Sequence, residues 1–172
     1  DKFFLNFMKI ATYNIDWAKK GKFKIEEYLN QFDFDFLILT EAIDLNLKNF
    51  NYKYFSEEIP THILYETQNY SKILNHEKGY RTIIYSKIPL EFETKMGAII
   101  IYATIIGTLF RQKPFAEIEL ENCVNDCERI FKTNKKILII GDFNTSFNKD
   151  EKQFGINSEI TETLKKMIFN LE

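Results

Sequence analysis

The chain has 172 residues, of which 45% are apolar and 16% aromatic, and its net charge is -2. This length and composition exclude a disordered chain and allow one domain, residues 1–172, with a substantial core. The charge excludes a global basic surplus for holding nucleic acid, but it leaves a local basic patch open. We find no signal peptide and no apolar run of membrane length, so we expect a cytoplasmic protein.

The predicted elements alternate between strands and helices, which favours a layered sheet over a helical bundle. Helical spacing of apolar residues predicts helices over residues 23–32, 115–131 and 160–171. Strands are expected over residues 8–15, 34–40, 80–86, 97–106 and 136–140, with shorter strand-like patches at 52–55 and 61–65.

The predicted strand over residues 136–140 leads directly into polar residues. Four branched residues in a row over 137–140 predict a strand that is covered on both faces and ends at Gly141. Asp142 and Asn144 follow two positions apart, so in extended chain they point to the same side. The alternative is a simple turn, since Gly, Asp and Asn all favour turns.

Similar polar groups follow two other predicted strands. Asn14 and Asp16 come at the end of the first strand, and Glu41 follows the strand over residues 34–40. Oxygen donors from several strand ends suit Mg²⁺, which usually takes one or two carboxylates and keeps waters for the rest. Each residue alone is equally compatible with a turn or a first-turn acid of a helix.

The only two cysteines, Cys123 and Cys127, are spaced i, i+4 and therefore share one face of a predicted helix. No further Cys or nearby His completes a zinc site. We expect two reduced, partly buried thiols rather than a disulfide or a metal pair.

Four segments in order resemble the motifs of the endonuclease/exonuclease/phosphatase family, the DNase I-like phosphodiesterases. They are TYNID at 12–16, DFLILTE at 35–41, RTIIYSK at 81–87 and GDFN at 141–144. The strand YATIIG at 102–107 is similar to a bacterial branch of the family. The resemblance implies an α+β fold, a two-sheet β-sandwich flanked by helices on the outside.

The resemblance also implies roles for the polar residues. Glu41 would be the main ligand of Mg²⁺ or Mn²⁺, with Asn14 and Asp16 assisting. Asp142 would orient or deprotonate the attacking water. Asn144 would hold a phosphate oxygen as charge builds in the transition state.

Arg81 and Thr104 are the two predicted substrate-binding residues; Thr104 lies where DNase-type members place a histidine on the middle strand. The family also closes with an Asp-His pair near its C-terminus, whereas this chain has only His62 and His76. We therefore expect a domain that is incomplete at its C-terminus. The implied function is a magnesium-dependent phosphoesterase acting on nucleic acid, another phosphodiester or a phosphomonoester. The alternative is a catalytically inactive binding or scaffold module on the same fold.

Overall fold

A computed structural model describes residues 8–59, 78–94, 97–106, 115–133 and 135–143, together with the helical residues Glu162 and Lys166. Its strands are β1 (Ile10–Asn14), β2 (Phe36–Ile43), β3 (Tyr52–Phe55), β4 (Gly79–Ser86), β5 (Glu91–Thr94), β6 (Gly97–Ile105) and β7 (Lys136–Asp142). Its helices are α1 (Lys22–Leu29) and α2 (Phe115–Phe131), and a short 3-10 turn covers Asp16–Ala18.

The strands form two sheets. The first has the order β1-β2-β4-β3, with β1 parallel to β2 and the other neighbours antiparallel. The second has the order β5-β6-β7, with β6 antiparallel to β5 and parallel to β7. In the first sheet Thr40 lies between Asn14 on one neighbouring strand and Thr82 on the other.

Successive strand residues point to opposite faces, and this alternation builds four layers. The helix α1 covers one face of the first sheet, the two sheets pack against each other, and α2 covers the far face of the second sheet. The three apolar interfaces are formed by Leu37 and Leu39 with Ile25 and Leu29, by Phe36 and Ile38 with Ile101 and Ile140, and by Ile137 and Ile139 with Cys123 and Cys127.

A buried tyrosine fixes the chain that follows β2. The Tyr85 hydroxyl accepts a hydrogen bond from the Leu45 amide at 2.6 Å and donates to the Asp44 carboxylate at 3.0 Å. Lys53 Nζ donates to the same Asp44 oxygen at 2.7 Å. Burial raises the pKa of Tyr85, so its hydroxyl keeps the proton that this donation requires.

The α+β two-sheet sandwich predicted from the sequence is confirmed, and helix α2 has the predicted bounds. Several predicted bounds were wrong, including the following three. The strand β2 continues to Ile43 instead of ending at Thr40, β7 continues through Gly141 to Asp142, and α1 ends at Leu29. The two faces of β7 are also unequally covered, because Leu138 is 38% exposed.

The short strand β5 was not predicted, because it has only four residues and two of them are the acids Glu91 and Glu93. The patch at 61–65 lies outside the described residues, as does the helix at 160–171 apart from its two residues already named. Cys123 and Cys127 are free thiols, as predicted, and both are fully buried.

Within the described part of the chain, neither helix has the length and apolarity to cross a membrane.

Candidate active site

A hydrogen bond between Asn14 and Asp142 joins the two sheets at their strand ends. Asn14 is the last residue of β1 and Asp142 the last of β7, and Asn14 Nδ2 donates to Asp142 Oδ2 at 3.1 Å. Ile10 and Ile140 both pack in the apolar interface between the sheets. The strand period of two therefore turns Asn14 and Asp142 toward the same gap.

The turn after β1 presents a second carboxylate. Asp16, Trp17 and Ala18 all have left-handed backbone angles, with φ of 46°, 56° and 57°. Left-handed residues other than glycine cost roughly 1–2 kcal/mol each, so the turn needs support from its surroundings. That support comes from the Trp17 side chain, which is only 4% exposed, and from Asn14 Oδ1, which accepts the Asp16 amide at 2.9 Å.

Glu41 lies inside β2 rather than after it, and it is the point where the strand alternation breaks. Its φ is 46°, which is unusual for a glutamate in a strand. As a consequence Ala42 and Ile43, although consecutive, both belong to the core cluster beneath α1. The left-handed backbone at Glu41 interrupts the regular alternation of side chains along β2. The direction of the Glu41 side chain therefore does not follow from the alternation of the residues before it.

The charges of Asp16 and Asp142 both act on Glu41. Its pKa is raised, first by burial and then by the negative charges of Asp16 and Asp142. Lys19 and Arg81 oppose this increase without cancelling it. Lys19 Nζ also makes an ion pair with Asp16 at 2.5 Å. The structure thus gathers Asp16, Glu41 and Asp142 into one region with excess negative charge.

Gly141 brings β7 unusually close to β6. A Cβ atom at this position would lie 1.7 Å from the backbone oxygen of Thr104, and the φ of 155° also favours glycine. Thr104 shares its face of the sheet with Tyr102 and Ile106, which pack toward α2. The structure therefore places Thr104 on the opposite face of the second sheet from Asp142, and its predicted contact with substrate stays a prediction.

Arg81 on β4 lies opposite Glu41 on β2, because the residues on either side of them pair across the two strands. Its Nε contacts Glu119 Oε1 of α2 at 2.9 Å, and the two side chains are 25% and 18% exposed. Sequence reasoning missed Glu119, because nothing local to a helix predicts an ion pair with a distant strand. It also missed Lys19, whose i, i+3 spacing from Asp16 is a usable signal.

One further group at the site was not predicted. Thr40 is fully buried next to Glu41, and its hydroxyl has no hydrogen-bond partner among the groups of the described chain. Such an orphan is costly, because a buried hydroxyl loses its bonds to water. Asn144, His62 and His76 lie outside the described residues.

The donor set fits a hard divalent cation. Among the described residues, no group of three or more His, Cys, Asp or Glu forms a ready-made metal cage. Mg²⁺ does not need one, because it usually binds through one or two carboxylates and water. Oxygen donors are present on Glu41, Asp16, Asp142 and Asn14, and the raised pKa of Glu41 marks a site that a cation would stabilise.

Two face-to-face sheets with outer helices, and a carboxylate–amide cluster at one end of them, define a DNase I-like protein. The sequence profile described as "Endonuclease/Exonuclease/phosphatase family" matches residues 11–157, which is most of the chain. The chain therefore belongs to this family of nucleases and phosphatases. No curated protein sequence matches it significantly.

Two solved structures share the fold. The endonuclease domain of TRAS1, a telomere-specific non-LTR retrotransposon, is similar with a TM-score of 0.55 and 11% identity, over 95% of this chain and 72% of that one. An AP endonuclease from Archaeoglobus fulgidus is similar with a TM-score of 0.51 and 14% identity, over 95% of this chain and 71% of that one. At such identities the likeness shows the fold alone.

Proposed function

We propose that this chain is a magnesium- or manganese-dependent phosphoesterase that hydrolyses a phosphodiester, with nucleic acid as the substrate class. The observation that carries the proposal is the Asn14–Asp142 hydrogen bond across the sheets, beside a glutamate whose pKa is raised by burial and by two neighbouring carboxylates. Family membership supports hydrolysis of a phosphate ester. The two similar structures, both described as endonucleases, support nucleic acid.

Asp142 is the proposed group that orients the attacking water and accepts its proton. Its Oδ2 accepts a hydrogen bond from Asn14 Nδ2, which restrains the orientation of the carboxylate. Asn14 is itself held through Oδ1 by the Asp16 amide, so the turn after β1 sets the direction of Asp142 through Asn14. Such fixed orientation is what makes a positioned acid–base group effective.

Glu41 and Asp16 are the proposed metal ligands. When bound, the cation would neutralise charge on the phosphate oxygens during hydrolysis. Arg81 places a second positive charge beside Glu41. The proposal also includes a cytoplasmic location and Asn144 as the residue that holds a phosphate oxygen. Thr104 faces away from Asp142 across the second sheet, so the proposal gives it no contact with substrate at this site.

The test is Asp142→Asn, which keeps the shape of the side chain and removes its basicity. We expect turnover with Mg²⁺ to fall by about 10²–10⁴-fold on oligonucleotides and on a bis-aryl phosphate. Glu128→Gln, on an exposed position of α2, removes one carboxylate elsewhere and should leave turnover unchanged. Turnover that survives Asp142→Asn would refute the assignment. Binding of oligonucleotides without any turnover in the unaltered chain would indicate the inactive module instead.

A further inference from the structure

Four aromatic rings form a continuous row along β1, α1 and the chain after α1, and the last of them, Phe34, is partly buried against the core. Tyr13 contacts Tyr28 with ring centroids 6.3 Å apart, Tyr28 contacts Phe32 at 5.0 Å, and Phe32 stacks on Phe34 at 5.4 Å. Tyr13, Tyr28 and Phe32 remain 45%, 49% and 36% exposed. Isolated exposed rings are common, but a contiguous exposed row of them indicates an interaction surface.

The N-terminal end of α1 carries a concentration of positive charge. Residues 19–24 read KKGKFK, four lysines without an acid, in a chain whose net charge is -2. Lys20 and Lys24 are exposed, and Phe23 between them is 76% exposed. Lys24 and Tyr28 are spaced i, i+4 on α1, so this lysine and this ring share one helix face. We call residues 19–24 with the four rings the basic–aromatic surface.

This surface is continuous with the candidate active site. Lys19, the first lysine of the run, makes its ion pair with Asp16 at 2.5 Å. Tyr13, the first ring of the row, directly precedes Asn14, which contacts Asp142. Among the described residues β1 is the end strand of the first sheet, and a ligand strand that passes around this edge would connect the rings with the carboxylates.

We propose that the basic–aromatic surface binds single-stranded nucleic acid, with phosphates on the lysines and bases stacked on the rings. A positive surface combined with aromatic stacking platforms is the arrangement that single strands require. A duplex would use the lysines but not the rings, because its bases are already stacked on each other. An anionic membrane is less well matched, since Ile25 and Leu29 of α1 are buried in the core and cannot insert. The proposal deepens the proposed function and rests on it only for the fate of the bound strand.

The experiment measures binding without catalysis. Fluorescence anisotropy of a labelled oligothymidine is followed with the unaltered chain in EDTA, beside an abasic strand and a duplex of the same length. Tyr28→Ala should weaken oligothymidine binding roughly tenfold and leave the abasic strand unchanged. Lys20→Gln with Lys24→Gln should reduce the slope of log K against log salt by about 1.4, because each phosphate contact on a single strand contributes about 0.7.

Matched controls come from the other side of the molecule. Tyr52 on β3 is 41% exposed at the opposite end of the first sheet, and Lys132 and Lys136 are exposed away from α1. Tyr52→Ala, and Lys132→Gln with Lys136→Gln, should leave oligothymidine binding unchanged.

Three outcomes would overturn the proposal. They are equal effects of Tyr28→Ala and Tyr52→Ala, equal weakening of oligothymidine and duplex by Tyr28→Ala, and binding to phosphatidylserine vesicles without binding to oligothymidine. Intact oligothymidine binding in a chain that never hydrolyses it would instead refute the proposed function and leave the surface standing.

Discussion

Gly141→Ala tests the close approach of β7 to β6 that supports Asp142. The new methyl group would lie 1.7 Å from the Thr104 backbone oxygen, where an ordinary contact is 3.4–4 Å. Backbone strain at the positive φ costs about 1–3 kcal/mol, and forced overpacking adds about 1–3 kcal/mol. We therefore expect the free energy of unfolding to fall by roughly 2–6 kcal/mol. A shift of Asp142 on the order of 1 Å should also lower turnover about a hundredfold.

Gly97→Ala is the matched control, because Gly97 has a φ of 100° but no atom within 4 Å of an added Cβ. Gly97→Ala introduces the backbone strain without a steric clash. We therefore expect its free energy of unfolding to fall by about 1–3 kcal/mol and its turnover to change little. Urea unfolding followed by fluorescence gives the free energies, and hydrolysis of a bis-aryl phosphate gives the turnover. If both alanine variants lose the same stability, the collision with Thr104 does not occur and the explanation of Gly141 is wrong.

Two further predictions concern β2. Glu41→Gln should raise the melting temperature in EDTA and lose most of the increase that Mg²⁺ gives the unaltered chain. Because the folded-state pKa of Glu41 is raised, stability should fall as the pH rises from the ordinary glutamate pKa through the folded value, and the variant should show a flatter profile of melting temperature against pH. Thr40→Val removes the orphan hydroxyl at nearly constant shape, so urea unfolding should show a gain of about 1–3 kcal/mol. A loss of stability in this variant would mean that the Thr40 hydroxyl has a partner.

The sequence predicted those parts of the fold whose cause is local. The unbroken apolar run of β2 and the helical spacing of α2 were sufficient to place both elements. The left-handed φ of Glu41 was not predictable, because no residue next to it in the sequence requires it. The Asn14–Asp142 contact spans 128 positions in sequence, so spacing could put both residues at strand ends but could not pair them.

The ion pair of Arg81 with Glu119 is a second contact between distant parts of the sequence that local spacing could not predict. Glu119 reads as an ordinary polar residue of an amphipathic helix, and only the packing of α2 over the second sheet brings it to β4. The strand ends alone predicted a shared site for these polar groups, and the resemblance to the family added a role for each residue, which stays a prediction.

The burial of the only tryptophan and the only two cysteines gives the protein two native reporters in separate layers. Trp17 packs with the first sheet and α1, whereas Cys123 and Cys127 pack between the second sheet and α2. Fluorescence therefore follows the loosening of one half, and alkylation of the thiols follows the detachment of α2 from the other. If both signals change at the same urea concentration, the sandwich unfolds as one cooperative unit. If the thiols react first, α2 and its sheet open as an independent unit while the turn beside Asp16 stays folded.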